Sequence, residues 1–358
     1  MFCNFYYKIN AFKYRRKICE TLSGIYNSTR YECAKATSPR LASNTRLKLL
    51  FFGTDTFSLP SLQALHKKYT GKGGLGVVTS FKNPANAVRG YAELHKLPLH
   101  RWPVLPEACQ EYDLGVVVSF GHMIPERVIR AFPMGMINVH ASLLPRWRGA
   151  APIIHAIMNG DKQTGVSIMR IEPKHFDVGD VLAQREIVIK NDILMPELHS
   201  QLAEEGADLL IYSIDNFISC LESATKQNGS YATYAPKITS AITEVNWSQI
   251  SAEQLYRRFR ALFGFKHLNT IFQKKAVQLI SVKLPDKESA DGPLANAECG
   301  RFLYDRNRCC LLVRCAENSI VEVHQIRIEG KKIMSAMDFN NGFLKKMNST
   351  LDFSFTTK

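Results

Sequence analysis

The stretches GVVVSF (residues 115–120) and GMINVHASLLPRWRG (residues 135–149) decide the fold. The first is an unbroken apolar run, which is typical of a strand buried on both faces of a parallel sheet. The second begins as a strand over residues 135–139 and breaks at Ser142 and Pro145. Strands of this kind are expected in an α/β domain with a parallel sheet.

Helical and strand patterns continue on both sides of these stretches. Four more strands are predicted, at residues 47–52, 76–81, 165–171 and 181–189. Apolar spacing predicts helices at 59–68, 85–96, 125–131, 151–158 and, as one long amphipathic helix, 195–221. Because strands and helices alternate, the first domain is expected to be a doubly wound, mostly parallel sheet.

A second, smaller domain is predicted after a linker that contains Gln227-Asn228-Gly229-Ser230. Ser251 is expected to cap a helix at 251–262, because Gln254 stands three residues later, as in a capping box. Short strands are predicted at 270–273, 276–282, 300–304, 310–315 and 320–328, and they indicate a small barrel. The predicted division is a leading segment at 1–46, a first domain at 47–225, a linker at 226–243, a barrel domain at 244–348 and a tail at 349–358.

The net charge of +14 is unevenly distributed along the chain. Residues 1–48 carry +8, residues 49–243 carry zero and residues 244–346 carry +6. The first block is rich in Arg, Lys and Ser and poor in acids, which predicts an organelle transit segment; a disordered basic tail is the alternative. The basic second domain predicts a polyanionic partner with salt-dependent affinity.

Two further classes are disfavoured by composition. No apolar run reaches the roughly 18 residues that a membrane-spanning helix needs. The nine cysteines are odd in number and include no Cys-x-x-Cys pair, which favours free thiols over a disulfide framework or a zinc site. A formal G-x-G-x-x-G at 71–76 follows a predicted helix and opens a strand, so we interpret it as a turn rather than a dinucleotide site.

The candidate catalytic residues are Asn138, His140 and Asp177. Asn138 and His140 are two apart in an extended segment, so their side chains share one face of the strand. That face ends where the chain turns, which is the usual place for chemistry in an open α/β sheet. An amide, an imidazole and a carboxylate that converge there could polarise a carbonyl, stabilise an oxyanion and move protons.

The pattern Asn138-x-His140-x-Ser142-Leu143-Leu144-Pro145 with Gly149, followed by Asp177-x-Gly179-Asp180, resembles the signature of the folate-dependent formyltransferases. The longer stretch LLPRWRGAAPI (143–153) is similar to the branch of that family that acts on charged initiator tRNA. The resemblance runs from about Leu49 to about Leu344. It implies a Rossmann-like formyltransferase domain followed by an OB-like β-barrel domain that binds tRNA.

The resemblance also implies the reaction and its participants. The formyl group of 10-formyltetrahydrofolate would pass to the amino group of methionine on initiator tRNA, in the mitochondrial matrix, by a monomer without a metal. Asn138 and His140 would polarise the formyl oxygen, and Asp177 would orient His140 or a water and relay the proton. The folate would lie against residues from two loops: Phe120, Gly121, Met123, Ile124, Ser142, Leu143, Leu144 and Pro145.

Basic side chains near the site and in the second domain are the candidate tRNA contacts, mostly to phosphates. They are Arg146, Arg148, Lys82, Arg257, Arg258, Lys331 and Lys332. One departure from the family concerns the loop after the second strand, which is long and basic in the family. Here residues 80–85 lead almost directly into the next helix, which leaves the means of initiator discrimination open.

Three other functions remain as alternatives. A formyltransferase with a small amine substrate would not need the basic second domain. A formyltetrahydrofolate hydrolase would share the triad, with water in place of the amine, but not this C-terminal domain. A catalytically silent tRNA-binding protein would not need an intact Asn138, His140 and Asp177.

Overall fold

The computed structural model describes residues 47–69, 74–285, 294–346 and 352–354. The predicted transit segment at 1–46, the glycines at 71 and 73, and most of the predicted tail lie outside the described residues. None of the described helices is both long and apolar enough to span a bilayer.

The N-terminal part is built on one seven-stranded sheet, ordered β3-β2-β1-β4-β5-β6-β7. Its strands are β1 (Leu49–Gly53), β2 (Leu75–Thr79), β3 (Leu99–Arg101), β4 (Leu114–Val118), β5 (Met136–His140), β6 (Gln163–Arg170) and β7 (Val181–Val188). The first five are parallel, and the last two are antiparallel. The doubly wound, mostly parallel sheet is therefore confirmed, and its strand order reverses between β1 and β4.

Helices cover both faces of this sheet. They are α1 (Leu59–Tyr69), α2 (Ala87–Leu94), α3 (Pro106–Cys109), α4 (Glu126–Ile129), α5 (Pro152–Met158), α6 (Met195–Asp215) and α7 (Phe217–Glu222). Strands β1, β2 and β4 are buried along their whole length, as their unbroken apolar sequences predict. Their carboxyl ends open on the crevice where the strand order reverses, which is the expected ligand position in such sheets.

The long helix predicted at 195–221 is wrong in one respect, because it is interrupted at Asn216. Helix α6 ends at Asp215 and α7 begins at Phe217. The Asn216 side chain donates to the Tyr212 carbonyl at 2.9 Å. It therefore bonds to one of the last carbonyl groups of helix α6. Asparagine competes with helical hydrogen bonding in this way, which the apolar spacing alone does not reveal.

The C-terminal part is an antiparallel sheet ordered β10-β11-β12-β9-β8, with a short β13 on β12. Its elements are α8 (Ala252–Leu262), β8 (Leu268–Phe272), β9 (Lys275–Lys283), β10 (Phe302–Asp305), β11 (Cys310–Arg314), β12 (Ile320–Ile328), β13 (Met334–Ser335) and α9 (Ala336–Gly342). Ser251 and Gln254 form the predicted capping box of α8. The structure adds β3, β13, α3 and α9, which the sequence patterns did not predict.

Residues 352–354, which the sequence assigns to the tail, join the two edges of this sheet. Ser354 exchanges two backbone hydrogen bonds with Ile271 of β8, each 2.9 Å. One residue earlier, Phe353 donates to the Gly300 carbonyl at 2.9 Å, just before β10. The Phe353 ring is 2% exposed and stacks on Phe302 with ring centroids 4.4 Å apart. These residues therefore close the barrel and complete its core.

The two parts share one hydrophobic core. A single cluster of buried residues includes Leu210 and Ile157 of the first part as well as Leu255 and Phe259 of the second. Helices α5 and α8 pack directly against each other. Beside them Arg260 of α8 is 7% exposed and donates to the Ile193 carbonyl at 3.1 Å. This shared core fixes the barrel against the sheet that carries the candidate site.

Candidate active site

The structure brings Asn138, His140 and Asp177 together at the carboxyl end of β5. Asn138 is half-buried, and its side-chain amide has no hydrogen-bond partner among the described residues. His140 is 6% exposed and ends the strand. Its Nδ1 lies 3.8 Å from Oδ1 of Asp177, whose side chain is 15% exposed. The Asn138 amide, which has no hydrogen-bond partner among the described residues, thus lies on the same strand as the imidazole of the His140–Asp177 pair.

The hydrogen bonds of His140 determine which ring nitrogen is available. Nε2 lies 2.9 Å from the Trp147 carbonyl oxygen. A carbonyl can only accept, so Nε2 carries a proton and donates. A neutral His140 therefore presents Nδ1 as an acceptor on the side of Asp177. Nδ1 can donate to a formyl oxygen only when it is also protonated. The predicted role of His140 in polarising the formyl oxygen is therefore limited to the imidazolium form.

The loop that carries Asp177 is tied to the loop after β5 by a hydrogen bond to the carboxylate. Oδ2 of Asp177 accepts from the Gly149 N–H at 2.9 Å, which links the carboxylate to the loop after β5. Its own φ is +52°, in the left-handed region that non-glycine residues adopt rarely. Ser119 after β4 and Trp147 after β5 have φ of +44° and +63°. Such conformations cost on the order of 1–3 kcal/mol each and cluster at functional sites.

Gln227 connects the two loops that carry the site. Its Nε2 donates to the Asp177 carbonyl at 3.0 Å and to the Gly179 carbonyl at 2.8 Å. Its Oε1 accepts from Nε and Nη2 of Arg148, at 3.0 and 2.8 Å. The sequence interpretation placed Gln227 in a linker and assigned it no function. Its partners lie far away in the chain, so no local pattern could have identified it.

The carboxyl ends of β1 and β4 form the other wall of the crevice. Thr54 Oγ1 donates to the Ser119 carbonyl at 3.0 Å, and Ser119 Oγ donates to Asp55. The Phe120 ring is 3% exposed and lies edge-on to Trp102 at 5.0 Å. His122, near this pair, stacks on Trp102 with ring centroids 5.8 Å apart. Behind the exposed Ser119 and Gly121, the loop after β4 is anchored by the buried Phe120 ring.

The residues predicted to contact folate differ in their exposure. Met123 is 61% exposed, and Gly121 has φ +72° in an exposed turn. Ser142 is fully buried, and its hydroxyl donates to the Arg146 carbonyl at 2.7 Å. Leu144 is also buried, at 5%. Little of either side chain is exposed, and contact of Ser142 and Leu144 with the folate stays a prediction.

The two arginines of the loop after β5 are already engaged within the protein. Arg146 forms a two-pronged ion pair with Asp161 at 2.8 and 2.6 Å, and this pair raises its pKa. Its guanidinium also stacks on the Trp147 ring at 4.3 Å. Arg148 is 8% exposed and is bound by Gln227. In this structure the Arg148 side chain is almost fully buried, and its contact with a tRNA phosphate stays a prediction.

The other predicted tRNA contacts fall into two groups. Arg257 is ion-paired with Glu253, and Arg258 is half-buried, with a pKa lowered by desolvation and an Nε without a partner among the described residues. Lys82, Lys331 and Lys332 are exposed. These three lysines and Arg146 are the exposed members of the predicted set, and their contact with tRNA stays a prediction.

One group of potential metal ligands occurs among the described residues, on the barrel rather than at the crevice. Cys310, Glu322 and His324 bring their ligand atoms within 4.8 Å of one another. Glu322 already accepts from Arg308 at 2.9 Å and contacts His324 Nε2 at 3.1 Å. Burial and the nearby Glu322 raise the Cys310 pKa to about 12, which keeps the thiol protonated. Hydrogen bonds to Arg308 and His324 account for the position of Glu322, and Cys310 is a buried core residue.

Known protein families match both parts of the chain. The formyl transferase family matches residues 106–214, and the formyl transferase C-terminal domain matches residues 237–344. The mitochondrial methionyl-tRNA formyltransferase of Homo sapiens is 37% identical over 307 residues, which cover 83% of this chain and 78% of that protein. The methionyl-tRNA formyltransferase of Coxiella burnetii is 33% identical over 320 residues, 84% of this chain and 97% of that protein.

A solved structure shares the fold at lower identity. It is an N-formyltransferase from Helicobacter canadensis, crystallised with folinic acid and dTDP-3-aminofucose. The TM-score is 0.60 at 17% identity, over 78% of this chain and 99% of that chain. At this identity the likeness supports the fold alone.

Proposed function

Because the chain belongs to the methionyl-tRNA formyltransferase family, we propose that it transfers the formyl group of 10-formyltetrahydrofolate to the amino group of methionine on initiator tRNA. The observation that supports this most directly is the convergence of Asn138, His140 and Asp177 at the crevice. The family supports a folate-derived donor and a charged tRNA acceptor. The 10-formyl form fits because its formyl group is an amide whose transfer to another amine needs no redox step.

The proposed chemistry begins with attack of the methionine amine on the formyl carbon, which turns the formyl oxygen into an oxyanion. The Asn138 amide is the donor for that oxygen, because it has no partner within the described residues and lies beside His140 on the same strand face. A donor that is already in position stabilises such a charge better than water, which must reorganise.

One proton must move from the attacking amine to N10 of the folate as the carbon–nitrogen bond to N10 breaks. Nδ1 of neutral His140 is an acceptor, because the Trp147 carbonyl holds the proton on Nε2. We assign Nδ1 the role of taking the proton from the amine and returning it to N10. Asp177, 3.8 Å away, stabilises the imidazolium that forms between these two steps.

The remaining contacts are assigned from the family resemblance and, for the basic side chains, from their exposure. The folate ring is assigned to the loop at Phe120, Gly121, Met123 and Ile124, with Leu143 and Pro145 on the opposite side. The tRNA is assigned to the open lysines Lys82, Lys331 and Lys332, with Arg146, Arg257 and Arg258 contributing to the positive field. The close relatives are mitochondrial proteins, and we propose that this enzyme acts as a monomer in the matrix.

The test is transfer of labelled formyl from 10-formyltetrahydrofolate to methionyl-tRNA, with initiator and elongator tRNA compared side by side. Transfer is expected, and His140→Ala should abolish it while tRNA binding stays within about threefold. His95→Ala is the matched control, because His95 is an exposed residue at the end of α2.

The alternatives predict different results in the same assay. Release of formate without transfer would indicate a hydrolase. Formylation of a small amine but not of tRNA would indicate a formyltransferase with a small amine substrate. Equal transfer to both tRNAs would retain the chemistry and show that the short loop at 80–85 does not discriminate. Transfer that persists undiminished in His140→Ala would refute the assignment of the site.

A further inference from the structure

The amide of Gln227 forms four hydrogen bonds at the point where three segments of the chain meet. The side chain is half-buried, and its two ends bind different loops. Nε2 binds two carbonyls of the loop that carries Asp177, and Oε1 binds the guanidinium in the loop after β5. One side chain from the inter-domain segment thus joins the two halves of the site.

The partners leave only one orientation for this amide. The carbonyl oxygens of Asp177 and Gly179 can only accept, and the Arg148 guanidinium can only donate. Nitrogen must therefore face the carbonyls, and oxygen must face the arginine. Among side chains of this length, only glutamine supplies both a donor and an acceptor at one terminus. A glutamate would keep the bond to Arg148 and place a negative oxygen against two carbonyls.

We propose that Gln227 is a positioning residue for the formyl transfer, which sets the distance between Asp177 and His140; this inference rests on the proposed function. The carboxylate of Asp177 is fixed from one side by the Gly149 N–H. The backbone of the same residue, at φ +52°, is held from the other side by Gln227. Without the hydrogen bonds from Gln227, the backbone of Asp177 can relax from this rare conformation.

The consequence is a change in the gap between Nδ1 of His140 and Oδ1 of Asp177, which is 3.8 Å in this structure. Stabilisation of a transient imidazolium depends on that separation. A misplacement of about 1 Å in a catalytic group can cost about 100-fold in rate. The expected effect is therefore on kcat, with little change in KM for the tRNA, because the hydrogen bonds of Gln227 involve none of the lysines assigned to the tRNA.

The experiment compares Gln227→Glu and Gln227→Ala with wild type and with Gln278→Glu. Gln278 is a matched control, because its Oε1 also accepts two guanidinium N–H groups, from Arg327 of the barrel. Both Gln227 variants should lower kcat by about 10- to 100-fold. The pH dependence of kcat should also shift, because the imidazolium would lose its placed carboxylate. Gln278→Glu should leave both quantities unchanged.

The Gln227→Glu variant distinguishes positioning of Asp177 from a role that consists only of holding Arg148. If the only role were to hold Arg148, glutamate would form an ion pair with it and restore wild-type kcat. Such a rescue, or an unchanged pH profile in both variants, would overturn the proposal. The proposed function itself fails on a different result, absence of transfer by the wild-type protein. Circular dichroism and thermal unfolding of each variant show whether it is folded.

Discussion

Replacing Asn138 with alanine should lower the activity of the enzyme while leaving its stability nearly unchanged. The amide is half-buried without a partner among the described residues, so truncation breaks no hydrogen bond of the fold. We expect the free energy of unfolding to change by less than about 1 kcal/mol. In the proposed transition state the same amide is the donor to the formyl oxygen. Loss of one such donor typically lowers kcat by about 100- to 1000-fold, or about 3–4 kcal/mol.

The assay is kcat at saturating folate and tRNA, together with thermal unfolding of the same preparation. Asn86→Ala is the matched control. Asn86 is 4% exposed, caps α2 through the Arg89 N–H, and donates to Thr79 and Ser80. This variant should lose about 1–3 kcal/mol of stability and keep its activity when folded. If Asn138→Ala kept kcat within threefold of wild type, or lost as much stability as Asn86→Ala, the assignment of the donor would be refuted.

Three further predictions concern the frame of the site. Phe353→Ala should lower the unfolding free energy by about 3–5 kcal/mol, because it empties a stacked position in the barrel core; denaturant titration measures this. Gly179→Ala should lower kcat, since a Cβ there would lie 2.0 Å from the Arg170 carbonyl oxygen, whereas Gly229→Ala, with nothing within 4 Å, should not. Burial raises the pKa of the Cys315 thiol to about 12 from its ordinary value of 9.0, so the neutral buried thiol stabilises the fold fully below pH 9 and loses this effect between pH 9 and 12. Cys315→Ala should therefore flatten the decline in unfolding free energy across that range, and an unchanged slope would contradict the reasoning.

The sheet was predictable because its signal is local. The apolar run at 115–120 has no polar residue to place on a solvent face until Ser119, so it can only be a strand covered on both sides. The break at Asn216 and the short β3 were missed for the opposite reason. Whether Asn216 ends a helix depends on what its side chain binds, and a three-residue strand such as β3 has too few positions to show a period.

The site divides in the same way. Asn138 and His140 could be placed together from sequence, because residues two apart on a strand share a face. Asp177 required the family resemblance, since its loop has no periodic structure. Gln227 could not be found by either route. Its bonds to Asp177 and Arg148 span 50 and 79 residues, and it stands among residues whose composition indicates only a linker.

The basic residues show what a charge count can and cannot predict. The excess of +6 over residues 244–346 remains after folding, because pairing of Arg257 with Glu253 leaves the sum unchanged. A long-range field that attracts a polyanion depends on that sum. A direct contact, in contrast, requires that the cationic side chain is exposed to solvent. Arg148 is buried, although it stands two residues from Arg146 in a loop motif. The salt dependence of tRNA binding should therefore follow open lysines such as Lys331, while Arg148 affects turnover through the loop that it braces.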